Sequence, residues 1–229
     1  MGSGGHAWWE DAVVYEVYPR SFADSDRDGV GDLPGLRSRL GYLADLGVDA
    51  IWLTPFYPSP LADGGYDVSD YCAVDPLLGT MADFDGLVED AAARQIRVIV
   101  DLVPNHCSSE HPLFRAALAA GPGSQERDRF IFREGRGIGG DLPPNNWMSS
   151  FGGPAWTRVT EADGRPGQWY LHLFDTSQPD WNWLDKDIPA LFEEVIRFWL
   201  DRGVAGLRST WPTACSKIRS CPTLPPGAR

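Results

Sequence analysis

The 229-residue sequence contains no uninterrupted apolar run long enough to cross a bilayer as a helix. It also lacks an excess of basic charge: 20 Lys and Arg stand against 32 Asp and Glu, a formal net charge of -12. Nucleic-acid phosphates need a basic surface, so no nucleic acid is expected as a partner, and no membrane either. Cysteines are few. Cys72, Cys107, Cys215 and Cys221 form no CxxC pair and show no metal-ligand spacing. The first ten residues, Met1 to Glu10, lack the basic start and apolar run of a secretory leader. A reduced, cytoplasmic setting is the default expectation. What remains for the acidic surplus is solubility, or a carboxylate-rich site for a cation or a sugar.

The apolar share of 43% is enough for a substantial core, so the chain reads as globular. Aromatics reach 12%, with ten Trp. Sugar rings present apolar C–H faces that stack on aromatic planes, yet core packing accounts for aromatics equally well.

Four short apolar runs read as buried strands: Val13–Tyr18, Asp49–Leu53, Ile96–Val100 and Val204–Arg208. Continuous rather than alternating runs suit a parallel sheet covered on both faces. Amphipathic helices lie between them. Phe84, Leu87, Val88 and Ala91 follow helical spacing, with Asp83 as the expected N-cap. The Leu36, Leu40, Leu43 stripe ends at Gly47, and a third helix runs from Asp187 through Phe192, Val195 and Trp199 to Gly203. This alternation predicts an α/β fold with right-handed crossovers, either half of an eight-fold barrel or a small open sheet. Between Leu102 and Trp183 the rhythm breaks into Gly, Pro, Asn and aromatics. A loop that long in a compact domain is usually functional, and it reads as a small inserted domain. The expected division is 1–103 and 184–208 for the strand–helix part, 104–183 for the insert, and 209–229 for an aberrant tail.

After the first strand, Asp24, Asp26, Asp28 and Asp32 surround a backbone carbonyl at Val30. Ca²⁺ takes six to eight oxygen ligands, and alternate carboxylates wrap a chain around one ion. The EF-hand pattern fails at its twelfth position, which is Gly35. An acidic surface turn is the plainer alternative. Four carboxylates this dense repel one another without a cation, which favours a structural Ca²⁺ held by Asp24, Asp26, Asp28, Val30 and Asp32.

Polar residues gather where the strands end, the edge at which parallel α/β barrels place reactive side chains. The third strand runs into Asp101-Leu-Val-Pro-Asn-His106, the fourth into Arg208, and the second leads to Gly65-Tyr66-Asp67. With Tyr15–Phe22, the acidic loop, Asn145-Asn-Trp147, Phe151-Gly-Gly153 and Gln178-Pro-Asp-Trp-Asn-Trp183, these segments resemble the α-amylase superfamily, in its α-glucosidase and oligo-1,6-glucosidase branch. The resemblance covers Trp8 to Arg208. It implies a partial (β/α)8 barrel of about four strands with a domain inserted after the third. It further implies that Asp67 and His106 hold hydroxyls of a glucose ring on which Tyr66 stacks. Asp101 would steady the site, Arg208 would orient the nucleophile, and Phe151, Phe174 and Gln178 would form a wall from the insert. Without the resemblance, Asp101 and Arg208 read as an ordinary ion pair and His106 as a core histidine.

The chemistry implied is retaining hydrolysis of a small α-glucoside by a carboxylate nucleophile and a protonated carboxylic acid. The nucleophile belongs two residues after Arg208, where this sequence has Thr210. A hydroxyl without an activating base does not replace a carboxylate there, so the 229-residue chain is expected to be inactive. A glucosyl-transferring relative, such as a trehalose synthase or sucrose isomerase, is the alternative activity. The tail after Arg208 has no helical or strand period. Restoring one base ahead of Ser209, with suitable codons, turns it into Ile-Asp-Val-Ala-His-Gly-Leu-Phe, which resembles the family's continuation with its nucleophile Asp. A displaced reading frame is the expected cause.

Overall fold

The structure is a computed structural model and describes residues 7–209. Thr210 and the tail read as frame-displaced lie outside the described residues. In chain order the elements are β1 (Val14–Val17), α1 (Pro19–Phe22), α2 (Leu33–Ser38), α3 (Leu40–Leu46), β2 (Ala50–Leu53), α4 (Met81–Ala93) and β3 (Arg97–Leu102). Then come α5 (Pro112–Ala120), α6 (Gln125–Asp128), β4 (Phe132–Arg133), β5 (Trp156–Thr160), β6 (Pro166–Leu171), α7 (Asp187–Leu200) and β7 (Gly206–Ser209).

The chain divides into two compact units. Of the described residues, the first comprises those up to Phe56, Cys72–Leu102 and Ile196–Arg208. Its four-stranded sheet has the order β1-β2-β3-β7, with β1 parallel to β2 and β2 parallel to β3. The register sets Ile51 beside Tyr15 and Val98. Ala50, Ile51, Leu53 and Val100, on the two central strands, are completely buried, as continuous apolar runs require of a sheet covered on both faces. The outer strands β1 and β7 are largely exposed, with Val14 at 45%, so the expectation of four buried strands holds for the central pair alone. This succession, with a small sheet inserted between the third and fourth strands, is part of a (β/α)8 barrel.

The helices of this unit follow their apolar stripes, with two differences from the sequence reading. The helix at 81–93 is capped by Thr80, whose hydroxyl accepts from the Asp83 backbone N–H while the Asp83 carboxylate reaches back to the Thr80 N–H. Asp83 is therefore the third residue of a capping box rather than the N-cap, because its carboxylate works only from inside the first turn. The Leu36–Leu43 stripe is two helices, broken at Arg39, whose N–H bonds back to Leu36 O. Gly47 ends the second with φ +81°, a conformation that glycine adopts without Cβ strain. Phe84 and Leu87 are fully buried, each worth roughly 2–3 kcal/mol. Phe84 meets Phe56 and Trp199 at ring-centroid distances of 5.1 and 4.9 Å.

Of the described residues, the second unit comprises Tyr57–Tyr71 and Val103–Val195, so the loop after β2 groups with the insert. Its antiparallel sheet has the order β4-β6-β5, with an irregularity between Arg158 and Thr160. Ile131, Trp147, Ala155, Trp156 and Leu171 form a core cluster. Buried Arg127 ties the helical and sheet parts together: it donates to both Glu161 oxygens, at 2.8 and 2.9 Å, and to Ala117 O at 3.2 Å. The Arg127 guanidinium holds the Glu161 carboxyl below the usual carboxylate range.

Candidate active site

In the first unit, β3 ends in Asp101 and β7 carries Arg208. Arg208 Nη1 lies 3.0 and 3.1 Å from the two Asp101 oxygens. Asp101 is completely buried. The Arg208 guanidinium carbon stands 4.5 Å from the centroid of the Trp52 ring on β2, within range of a cation–π contact. Three neighbouring strands thus place a carboxylate, a guanidinium and an indole together. The arginine is always charged, so the arrangement fixes a cation at the strand ends.

The second unit brings the other candidates together. Asp67 is buried and folds its own loop around itself: Oδ1 accepts from Ser59 Oγ at 2.7 Å and from Asp63 N at 3.2 Å, and Oδ2 from Ala62 N at 3.0 Å. Tyr66, half-buried beside it, donates its N–H to Asp63 O. Gln178 Nε2 bridges Asp63 Oδ2 at 2.9 Å and His106 Nε2 at 3.1 Å. Burial, opposed by the Gln178 hydrogen bond and reinforced by Asp67 and Asp175, pushes the Asp63 carboxyl up. The His106 ring stands 4.9 Å from that of Phe174, which meets exposed Phe151 edge-on at 5.8 Å. Asp67, Asp63, Gln178 and His106 form one polar chain with Phe174 and Phe151 beside it.

Several residues of this network were not singled out in the sequence. Asn105 Nδ2 touches His106 Nδ1 at 3.0 Å and donates to Asp180 Oδ1 at 2.9 Å. The buried Tyr71 hydroxyl donates to His106 O at 2.6 Å and accepts from Trp181 Nε1. His172 bridges Thr157 Oγ1 and the carbonyl of Phe174. Asn105 and Asp180 sit inside quoted motifs, so a signal for them existed. Asp63 and His172 carried none.

The acidic loop is tightly self-bonded. Asp24 accepts from the N–H groups of Asp26, Arg27 and Gly29; Asp26 accepts from Asp28 N, and Asp28 from Val30 N. The Gly29 N–H is the main cause holding the Asp24 carboxyl below its ordinary range. Oxygens of Asp24, Asp26 and Asp28 all lie within 4.8 Å of one another, an all-oxygen donor set that fits a hard divalent cation. Asp32, the fourth carboxylate, also accepts hydrogen bonds within the protein. Its Oδ1 caps α2 through Gly35 N at 2.6 Å, and its Oδ2 accepts from Ser25 Oγ at 2.7 Å.

Among the described residues, no helix is long and apolar enough to cross a membrane. The sequence pattern of the alpha amylase catalytic domain matches residues 16–227. The chain belongs to this family. It is 45% identical over 219 residues to a probable oligo-1,6-glucosidase 3 of Bacillus subtilis, a match covering 96% of this chain and 38% of that protein. It is 50% identical over 201 residues to a trehalose-6-phosphate hydrolase of Escherichia coli, covering 88% of this chain and 35% of that one. Among solved structures, isomaltulose synthase from Klebsiella sp. LX3 superposes with a TM-score of 0.91 at 42% identity, covering 97% of this chain and 38% of that one. The chain thus spans less than two-fifths of the length of these relatives.

Proposed function

We propose that the polar network of the second unit forms the glucose-binding side of a retaining α-glucosidase acting on short α-glucosides. The observation that supports this most is the polar chain Asp67–Asp63–Gln178–His106 beside Phe174. A pyranose has hydroxyls on its rim and apolar C–H faces, and a row of fixed acceptors and donors next to an aromatic ring suits both. Asp67 and His106 take hydroxyls, Tyr66 offers its ring to the sugar face, and Phe151 and Gln178 wall the site. Asp101 steadies Arg208, whose charge orients a carboxylate nucleophile and keeps it ionised. A Ca²⁺ on Asp24, Asp26 and Asp28, with the Val30 carbonyl and Asp32 as further oxygens, serves as a structural cross-link of the loop.

The 229-residue chain itself is proposed not to turn substrate over, because the nucleophile position holds Thr210. A retaining mechanism needs two carboxyl groups about 5–5.5 Å apart, and a threonine supplies neither. Incubating the purified chain with p-nitrophenyl α-glucoside tests this; release of nitrophenol above a blank contradicts it. The nucleotide sequence across the Arg208 codon tests the displaced frame. An undisturbed frame through the tail, with no barrel-coding sequence beyond it, ends that explanation.

The similarity to isomaltulose synthase supports a second reading, in which the glucosyl unit is transferred rather than released to water. The Pro143-Pro-Asn-Asn-Trp147 and Phe151-Gly-Gly153 stretches favour the hydrolase.

A further inference from the structure

Phe151 is 59% exposed, and half-buried Phe174 is its one ring partner among the described residues. Burial alone does little to hold the Phe151 ring in place. Hydrogen bonds of the backbone do more. The carbonyl of Phe174 accepts twice, from Ser149 Oγ at 2.7 Å and from His172 Nδ1 at 3.1 Å. A carbonyl oxygen only accepts, so both partners must donate to it. Ser149 therefore gives its one hydroxyl proton to Phe174 O, and its oxygen accepts the N–H of Phe151 at 3.0 Å. One hydroxyl joins the backbones of both phenylalanines.

With Nδ1 donating, Nε2 of the neutral His172 ring accepts from Thr157 Oγ1 at 2.9 Å. Thr157 lies on β5, so the imidazole is anchored to the antiparallel sheet of the insert. Ser149 and His172 are themselves buried, at 9% and 2% exposure. A chain of contacts thus runs from the sheet through His172 to Phe174, and through Ser149 to Phe151. We propose that Ser149 and His172 are positioning residues: by sharing the Phe174 carbonyl they set the spacing of two rings offered to a sugar face. This deepens the glucoside reading and rests on it for the identity of the ligand. An aromatic pair already held in place stacks on an apolar C–H face without first being immobilised, and so binds more tightly.

Glucose titration of the 229-residue chain by calorimetry, with ¹⁹F spectra of the chain carrying 4-fluorophenylalanine, tests the proposal. The two resonances are assigned through Phe151→Leu and Phe174→Leu. Ser149→Ala is expected to move both and to weaken glucose binding about tenfold, because the ligand must then order the rings itself. Ser149→Thr keeps the hydroxyl and restores both readings. His172→Leu moves the Phe174 resonance and weakens glucose binding, and His172→Asn, which keeps a donor for the carbonyl, recovers most of the affinity. Exposed Ser150→Ala, the next residue along, changes neither reading. A merely structural role lowers the melting temperature and leaves the glucose affinity of the folded chain as it was. Folded Ser149→Ala with wild-type resonances, or with wild-type glucose affinity, therefore overturns the proposal. If Ser149→Ala does not fold, equal glucose affinity in His172→Leu and His172→Asn overturns it instead. A wild type that binds no glucose, while Ser149→Ala still moves both resonances and Ser149→Thr restores them, sinks the sugar reading and leaves the positioning standing.

Discussion

Arg208 on β7 holds both oxygens of Asp101 at the end of β3 with one nitrogen, at 3.0 and 3.1 Å, while its guanidinium lies over Trp52. The carboxylate is fully buried, and the arginine side chain is 43% exposed. The pair is therefore asymmetric: solvent reaches the cation but not the anion. Removing the cation costs more than removing a surface ion pair, because the buried carboxylate loses its close counter-charge. Arg208→Ala is expected to lower stability by about 2 kcal/mol, less than a wholly buried pair would lose. Urea unfolding measures it, and Arg208→Lys is expected to recover only part, since one ammonium does not replace the flat guanidinium over Trp52. An unchanged unfolding midpoint in Arg208→Ala contradicts this assignment.

His111 makes stability depend on pH. Its Nδ1 accepts from Leu113 N and so caps α5. Its ring packs edge-on against Trp181 at 5.2 Å. Burial lowers its pKa from 6.5 to about 4, against a smaller opposing pull from Asp70. The unfolded chain therefore binds a proton between these values and the folded one does not. The contribution is fully present above 6.5 and is lost as pH falls toward 4, by about 3 kcal/mol in all. His111→Asn keeps a capping acceptor and removes the titration. Its stability is expected to fall less between pH 6.5 and pH 4 than that of the wild type; parallel curves would argue against it.

The acidic loop gives a metal-removal test. If Asp24, Asp26 and Asp28 share one Ca²⁺, saturating calcium raises the melting temperature and a chelator reverses the gain. At a hundredfold excess over Kd the stabilisation is about 2.7 kcal/mol. Asp28→Asn is expected to abolish most of this response, because one of the ion's carboxylates is lost while the loop's Val30 N–H keeps an acceptor. Identical melting in calcium and chelator rules the site out.

Much of the barrel part was legible because burial on both faces leaves a coarse trace. Ile51, Val98 and Val100 stand in continuous apolar runs, and Phe84, Leu87 and Ala91 in a helical stripe. The insert was not legible as strands. β4 has two residues, β5 carries an irregularity, and the unit is held by Trp147, Trp156 and the Arg127–Glu161 pair rather than by alternation. Boundaries failed where a side chain acts through the backbone, as Thr80 shows by taking the capping position expected of Asp83. The candidate site was legible where residues sit in compact motifs, such as His106 and Gln178. Asp63 and His172 escaped because their partners, Gln178 and Thr157, lie 115 and 15 residues away. Such distances leave no local pattern.

Titrating the 229-residue chain with glucose by calorimetry, alongside Asp67→Ala and His106→Ala, tests the glucoside site most directly. The account predicts saturable binding by the wild type and at least about tenfold weaker binding by each variant, the worth of one hydrogen bond to a fixed polar group. A wild type that binds no glucose, or variants that bind it as well as the wild type does, would contradict the account.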